Sequence, residues 1–359
     1  MEPDYSTKLP VIRVFNDQLV LFEQFDSSFP RTDKQIENEK NLTRGVFNGY
    51  MSPKTKSKVK KYLSTWIESG ITISRSHLKD QLDKVPYFTF VTLTLPASQE
   101  HHDNVIKRKC LVPFISTLQR KFDVWHYFWR AEAQKNGNIH FHLIVDTFID
   151  HSQLRVEWNK CINKLEYVDR FAMKFGHHNP NSTDIHSLKN VNSPASYVIK
   201  YCCKSDGYRK IEGRIHGCSD GLKSLNPYED LIDSKTSKFI EKVSLDPKSK
   251  IFYGDDFTVI KCSVRAMMLK YYPEFRRDVV KFQVSQAMHL YKIDLPPEIE
   301  AMTLKRERKK LIQAELFAAG TCCIEPVPHD RSEQIRIGEE YYRRKALRFN
   351  KEPHPTTLD

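Results

Sequence analysis

Residues 123–145 read DVWHYFWRAEAQKNGNIHFHLIV, and this stretch decides the fold. Two segments rich in aromatic and β-branched residues, about 123–132 and Ile139–Val145, flank a short polar run, Gln134–Asn138. The run contains Asn136-Gly137, a strong signal for a short hairpin turn. The pattern therefore predicts two antiparallel strands joined by a tight turn.

Hydrophobic periodicity predicts the elements on both sides of this hairpin. Strands are expected at 86–95, where PYFTFVTLTL ends at a proline, and near Asp184–Leu188. Helices are expected at about 102–121, at 151–166, and from Ser193-Pro194 to about Lys204. The order β-α-β-β-α-β-α predicts an α+β fold with one mainly antiparallel sheet and helices packed on it.

The length of 359 residues allows two or three domains, and three regions are expected. Region 1–83 contains a lysine-rich helix that starts at Ser52-Pro53, and weak alternation around Val11–Phe22 favours a strand or two. Region 84–225 holds the hairpin. Region 226–359 is expected to be mainly helical, with a dense charge cluster at Lys305–Lys310.

Composition excludes several classes of protein. Hydrophobic residues make up 40% of the chain, which excludes disorder throughout, and no apolar run is long enough to span a membrane. There is no phosphate-binding GxxxxGK[ST] run. The eight cysteines form no CxxC pair, and the first residues lack a secretory signal. We therefore expect reduced thiols and a cytoplasmic location.

The charge of the chain points to a polyanionic partner. Lys and Arg number 57 against 45 Asp and Glu, which gives a formal net charge of +12. A surplus of this size is typical of proteins that bind nucleic acid, although many basic proteins do not.

The segment His140-Phe141-His142 places two imidazoles side by side, because residues i and i+2 of a strand point to the same face. Neutral imidazole is the commonest metal ligand in proteins. On its own, such a pair is more often two half-buried histidines with local hydrogen bonds. The neighbouring strand changes this balance.

Glu132 lies eight residues before His140, so a hairpin about Asn136-Gly137 returns it to within reach of both histidines. One carboxylate and two imidazoles predict a divalent-metal site with open coordination positions. Such ligands suit Mn²⁺, and Mg²⁺ also fits when a substrate phosphate completes the shell. Gln134 is an alternative third ligand.

A second motif lies in the helix expected after Ser193-Pro194. Tyr197 and Tyr201 are spaced i, i+4 and share one helix face, and Lys200 and Lys204 follow them by three residues each. Alone, such a pair is more often core packing. A phenolate can, however, attack a phosphodiester and become linked to the phosphate. A metal ion and a lysine would stabilise the charge that develops.

Together these motifs resemble the HUH endonuclease superfamily, and in particular the rolling-circle replication initiators. Those proteins carry a strand motif, a His-hydrophobic-His strand and a tyrosine helix in this order. Here Phe90–Leu95, His140–His142 and Tyr197–Lys204 match them. The two tyrosines resemble the initiators of single-stranded-DNA phages. The run Gly213–Ser219 also resembles a Gly-Arg-x-Trp-Gly-x-Ser segment of such proteins, with His216 in place of Trp.

The resemblance implies a palm-like antiparallel sheet with flanking helices and a nuclease core at 84–225. It implies that His140, His142 and Glu132 bind the metal and that Tyr197 and Tyr201 are the nucleophiles, with motif order favouring Tyr197 as the first. Thr92 and Thr94 either face this site or lie on a half-exposed strand.

The implied function is to nick and rejoin single-stranded origin DNA of a plasmid or phage in a bacterial host cell. The implied partners are origin DNA and, because no helicase motif is present, a separate host helicase and polymerase. Transposases and relaxases with the same chemistry remain alternatives. So do a non-catalytic basic DNA-binding replication protein or repressor, and a metal-dependent hydrolase that uses water.

Overall fold

Two five-stranded antiparallel sheets with helices packed against them form the part of the chain described by the computed structural model. The described residues are 8–25, 37, 49–76, 79–80, 82–188, 194–203 and 208–291. They belong to one unit within Met1–Thr303. The predicted features at Lys204 and Lys305–Lys310 lie outside the described residues. The α+β fold class is confirmed.

The strands, in chain order, are β1 (Lys8–Val14), β2 (Gln18–Phe25), β3 (Thr89–Leu93), β4 (Tyr127–Ala133), β5 (Ile139–Val145), β6 (Thr183–Ser187), β7 (His216–Cys218), β8 (Tyr228–Leu231), β9 (Lys250–Tyr253) and β10 (Phe257–Lys261). The α-helices are α1 (Pro53–Ser74), α2 (Asp103–Ile106), α3 (Val112–Lys121), α4 (His151–Asn163), α5 (Tyr167–Phe175), α6 (Pro194–Cys202), α7 (Ser234–Leu245), α8 (Val264–Tyr271) and α9 (Pro273–Leu290). A π-helical turn, Lys107–Leu111, joins α2 to α3.

The sheet that carries the predicted motifs has the strand order β6-β3-β5-β4-β7. The predicted hairpin is confirmed, and Gly137 in its turn has a φ of 83°, a conformation that glycine adopts without strain. β4 and β5 pair so that Glu132 lies opposite His140 and Arg130 lies opposite His142. The predicted strands near 86–95 and 184–188 are confirmed as β3 and β6.

Helices cover both faces of this motif-carrying sheet. On one face, Phe141 of β5 packs with Trp158 of α4, which in turn contacts Phe114 of α3. On the other face, Tyr62 of α1 packs against Phe128 of β4. The face that carries His140 and His142 therefore lies on the same side as α1 and the tyrosine helix α6.

The lysine-rich helix α1 begins as predicted. Ser52 caps it by accepting a hydrogen bond from the Thr55 N–H, and Pro53 occupies its first turn. Its apolar side is buried at Leu63 and Trp66. The lysines follow the more exposed side of the helix, as expected for an amphipathic segment.

The other sheet has the order β8-β1-β2-β10-β9 and joins distant parts of the chain. β1 and β2 come from the predicted N-terminal region, whereas β8, β9 and β10 come from the predicted C-terminal region. The helices expected beyond about 260 are present as α8 and α9. The division into three regions stays a prediction.

Two short elements lie where the sequence pattern predicted loops or turns. α5 occupies Tyr167–Phe175, and its apolar stripe ends at Gly176, which has a φ of 76°. β7 occupies His216–Cys218 and extends the motif-carrying sheet at its edge. Both are too short for periodicity to distinguish them from irregular chain.

Among the described residues, no helix is long and apolar enough to cross a membrane.

Candidate active site

Glu132, His140 and His142 form one cluster on the hairpin. Glu132 Oε1 lies 2.9 Å from the Nε2 atoms of both His140 and His142. The two Nε2 atoms are 3.1 Å apart. The register of β4 and β5 produces this arrangement, because Glu132 pairs directly with His140 and His142 follows on the same strand face. Among the described residues, it is the one group of three such side chains with metal-ligand spacing.

Burial and hydrogen bonding set the protonation of two members of this cluster. Burial lowers the pKa of His142, so its imidazole is neutral at neutral pH. Burial alone would raise the pKa of Glu132, but hydrogen bonds from His140 and His142 outweigh burial and hold that pKa well below its ordinary value. The carboxylate and the neutral imidazole are the forms that bind metal ions.

The donor set fits a divalent ion. Six ligands about 2.1 Å from a central ion place neighbouring ligand atoms about 3 Å apart, which is the spacing of these three atoms. Two imidazoles and one carboxylate on one side of an ion leave its other positions open for substrate oxygens. Mn²⁺ suits such mixed nitrogen and oxygen ligands.

A polar row crosses the whole sheet beside this cluster. Strand pairing places Asp184, Thr92, His142, Arg130 and His216 opposite one another in turn. Directly paired residues of antiparallel strands point to the same face, so this row lies on the face of the cluster. Thr92 Oγ1 lies 3.2 Å from His142 Nδ1.

Arg130 and His216 of this row were not identified as site residues from the sequence. Arg130 is 4% exposed, and burial lowers its pKa. Burial, with further contributions from Arg130 and neighbouring basic groups, lowers the pKa of His216 to about 4, so its ring is neutral at neutral pH. The spacing of Arg130 and Glu132, two residues apart on β4, was the signal that could have placed Arg130 on this face.

Both tyrosines of α6 lie over the cluster face. The ring centroid of Tyr201 is 5.7 Å from that of His142, and the centroids of Tyr197 and Tyr201 are 5.0 Å apart. Phe90 of β3 contacts both tyrosine rings and stacks on the His142 ring at 5.4 Å. Phe90 therefore fixes the distance between the tyrosine helix and the histidine strand.

The environments of the two phenols differ. Partial burial, together with a hydrogen bond to Tyr201, raises the pKa of Tyr197 above its ordinary value. Tyr197 is thus protonated at neutral pH and needs help to react as a nucleophile. The exposed Lys200 places its Nζ 5.8 Å from the centre of the Tyr201 ring.

The remaining predicted residues are placed as follows. Lys204 lies outside the described part of the chain. Gln134 follows the end of β4, where its N–H and C=O form backbone hydrogen bonds of the turn with Asn138 and Gly137. Thr94 donates a hydrogen bond to the Ser182 carbonyl instead of facing the histidines.

A partly buried ion pair holds the hairpin turn in place. Arg209 contacts both carboxylate oxygens of Asp103, at 2.7 and 2.6 Å, and donates from Nε to the Gly137 carbonyl at 2.7 Å. Gln99 accepts a hydrogen bond from the Ile139 N–H at 2.6 Å and donates one to Asp103. This clamp, formed by Gln99, Asp103 and Arg209, fixes the start of β5 immediately before His140.

Comparison with known proteins ties this part of the chain to replication. Residues 88–206, which contain the cluster and both tyrosines, match the family model of the replication-associated proteins of the ORF2 type. This match suggests a role in the initiation of replication and implies interaction with DNA.

Other comparisons give less. No curated protein sequence matches this chain. One solved structure, the crystal structure of the hypothetical protein ORF119 from Sulfolobus islandicus rod-shaped virus 1, is 18% identical to it with a TM-score of 0.24. That alignment covers 41% of this chain and 97% of the viral protein.

Proposed function

We propose that this protein initiates rolling-circle replication by nicking and rejoining single-stranded origin DNA through a phosphotyrosine link. The observation that carries the proposal is the placement of the Tyr201 ring 5.7 Å from the His142 ring of a metal-competent cluster. The replication-associated family match over residues 88–206 supports it.

Glu132, His140 and His142 would hold a divalent ion, Mn²⁺ or Mg²⁺. A bound ion of this kind polarises a phosphodiester and stabilises the negative charge that develops on its oxygens. The three side chains of the cluster provide ligands on one side, which leaves room for phosphate on the side that faces α6.

The nicking step uses the phenol of Tyr197 or Tyr201. The phenol loses its proton, its oxygen forms a bond to phosphorus, and the bond from phosphorus to the 3′ oxygen breaks. The 3′ oxygen leaves as a hydroxyl after taking up a proton, and the 5′ phosphate stays on the tyrosine. Lys200, exposed beside the Tyr201 ring, is placed to pair with a phosphate oxygen.

Joining is the reverse of this step, and the second tyrosine gives it a purpose. The phosphotyrosine link keeps the energy of the broken bond, so a 3′ hydroxyl can attack it and restore a phosphodiester. With two tyrosines 5.0 Å apart, one can remain linked to DNA while the other attacks a newly made strand. Unwinding and synthesis then fall to a separate helicase and polymerase.

The experiment that tests this proposal is a cleavage and joining assay. Labelled single strands that tile the protein's own replicon are mixed with the full chain and Mn²⁺ or Mg²⁺. We expect cleavage at one site, its loss in EDTA and in His140→Ala and His142→Ala, and its retention in His177→Ala, which changes an exposed loop histidine. Cleavage that persists without the metal or in the His140 variant would contradict the proposal.

A further inference from the structure

The sheet formed by β8, β1, β2, β10 and β9 has one covered face and one exposed face. Ile12, Leu19 and Ile260 point to the covered face, where they pack with helices α7, α8 and α9 around Phe239, Met267 and Phe275. The residues between them on each strand point the other way. No described helix covers the β2, β10 and β9 part of that other side.

Aromatic and basic side chains alternate in register across this exposed side. We call it the aromatic face and define it by Arg13, Phe22, Lys250, Phe252, Phe257 and Lys261. Val11, Phe22 and Phe257 pair in one row, and Arg13, Val20, Val259 and Phe252 pair in the next. Phe252 is 48% exposed and Phe257 is 50% exposed, which is unusual for such large apolar side chains.

Each of two aromatic rings on this face has a cation beside it. The guanidinium of Arg13 lies 4.6 Å from the centre of the Phe22 ring, and Lys261 Nζ lies 4.8 Å from the centre of the Phe252 ring. The Phe257 ring lies across Gly254, where an added Cβ would come within 2.7 Å of ring atoms. The absence of a side chain at Gly254 lets this ring lie flat on the sheet.

Two lysines meet at one end of the aromatic face. Lys250 and Lys261 are direct partners in the β9–β10 register, and both are exposed. Like charges directly opposite each other destabilise a sheet unless an anion lies between them. The acidic residues of the hairpin, Asp255 and Asp256, lie in the turn at the other end of β9. Charge is thus separated along the hairpin, with the cationic end beyond the rings.

We propose that the aromatic face binds single-stranded nucleic acid, with bases stacked on the phenylalanine rings and the backbone phosphates at the Lys250–Lys261 end. Exposed rings on a sheet with adjacent cations are the arrangement by which proteins hold unpaired bases without reading their sequence. A protein partner would use the same rings, but the opposed lysines favour a ligand that brings its own negative charge. The face lies outside residues 88–206, so it is a second DNA contact separate from the nicking site.

The first experiment measures the affinity of the full chain for a fluorescein-labelled mixed-sequence 20-mer by anisotropy. EDTA is present, so the result does not depend on whether the proposed nicking occurs. We expect Phe252→Ala/Phe257→Ala to weaken single-strand binding at least tenfold, since stacking on a ring contributes about 1–3 kcal/mol per base. Binding to a matched duplex is expected to change less.

The lysines give a second readout. Lys250→Ala/Lys261→Ala should reduce the slope of log affinity against log salt by about 1.4, because each phosphate contact to a single strand contributes about 0.7. The matched control is Phe175→Ala, which removes a phenylalanine that is 55% exposed and has Lys174 Nζ 5.4 Å from its ring. This control should bind as the wild type does.

Three outcomes would overturn the proposal. Equal affinities in the phenylalanine double variant and the Phe175 control would show that the face does not bind DNA. A change from oligomer to monomer by light scattering, without a change in DNA affinity, would show that a second copy covers it. A large fall in melting temperature with unchanged affinity would show that another part of the chain covers it.

Discussion

Thr92 Oγ1 lies 3.2 Å from Nδ1 of His142, on the opposite side of the imidazole ring from the nitrogen that faces Glu132. When Nε2 of a neutral imidazole binds a metal, its proton is on Nδ1. Thr92 accepts a hydrogen bond from that proton and so selects both the tautomer and the orientation of the ring. Outer hydrogen bonds of this kind tune metal affinity in proteins.

The first prediction is that Thr92→Val weakens Mn²⁺ binding by about 10- to 100-fold, because the His142 ring loses its orienting partner. Titration calorimetry of the full chain with Mn²⁺ measures this. Thr94→Val is the matched control, since the Thr94 hydroxyl bonds to the Ser182 carbonyl. Equal affinities of the two variants would show that Thr92 does not orient the ligand.

The second prediction concerns the clamp formed by Gln99, Asp103 and Arg209. Burial acts to raise the pKa of Asp103, but hydrogen bonds from Arg209, Gln99 and the Glu212 N–H lower it below its ordinary value. We expect Asp103→Asn to reduce the free energy of unfolding by about 1–3 kcal/mol, as charge-assisted hydrogen bonds are lost. Glu274→Gln, in an exposed pair with Arg277, should change it by less than about 1 kcal/mol.

The pH dependence of this difference follows from the lowered pKa. An acid with a folded-state pKa below its unfolded value stabilises the fold above the unfolded value, about 3.9 for Asp, and loses this effect as pH falls through the folded value. The gap in melting temperature between wild type and Asp103→Asn should therefore narrow below about pH 4. A gap of constant size from pH 7 to pH 3 would contradict this account.

The third prediction concerns Glu68 of α1, which is 4% exposed and accepts a hydrogen bond from the Asn16 N–H at 3.1 Å. Burial, with a smaller effect from Asp17, raises the pKa of Glu68 to about 8. The folded state then keeps a proton that the unfolded state loses above about pH 4.3. Stability should fall as pH rises from about 4.3 to 8.

Glu68→Gln removes this penalty and keeps an oxygen for the Asn16 N–H. We expect the variant to be more stable than wild type at pH 7, by on the order of 1–3 kcal/mol, and no more stable near pH 4. Chemical denaturation at both pH values measures this. Glu241→Gln, an exposed position on α7, should show no such pH-dependent gain. A less stable Glu68→Gln at pH 7 would show that Glu68 is ionised in the fold.

Local sequence signals predicted the hairpin and the cluster it carries. Asn136-Gly137 fixes the turn, and the two-residue period of strands then places Glu132 opposite His140. The i, i+4 spacing likewise predicted that Tyr197 and Tyr201 share a face, and their rings are in contact. These features depend on residues close in sequence, where pattern and geometry are directly related.

The rest depends on pairing between distant segments. β1 pairs with β8, and β2 pairs with β10, across more than half of the chain, and single-sequence periodicity carries no information on such partners. β9 and β10 are also short, although Gly254-Asp255-Asp256 between two β-rich runs was a usable turn signal. Arg130 was missed because an arginine on a strand is usually exposed, whereas here the side chain is buried within the sheet and its covering helices.

The central claim is that a tyrosine of α6 becomes covalently linked to DNA. Mass spectrometry of the protein after reaction with single-stranded origin DNA and Mn²⁺, followed by digestion, tests it most directly. The account predicts a nucleotide adduct on the peptide that contains Tyr197 and Tyr201. The adduct should be absent with EDTA and absent in Tyr197→Phe/Tyr201→Phe. Cleaved DNA with no adduct, or an adduct that survives in the double variant, would contradict the claim.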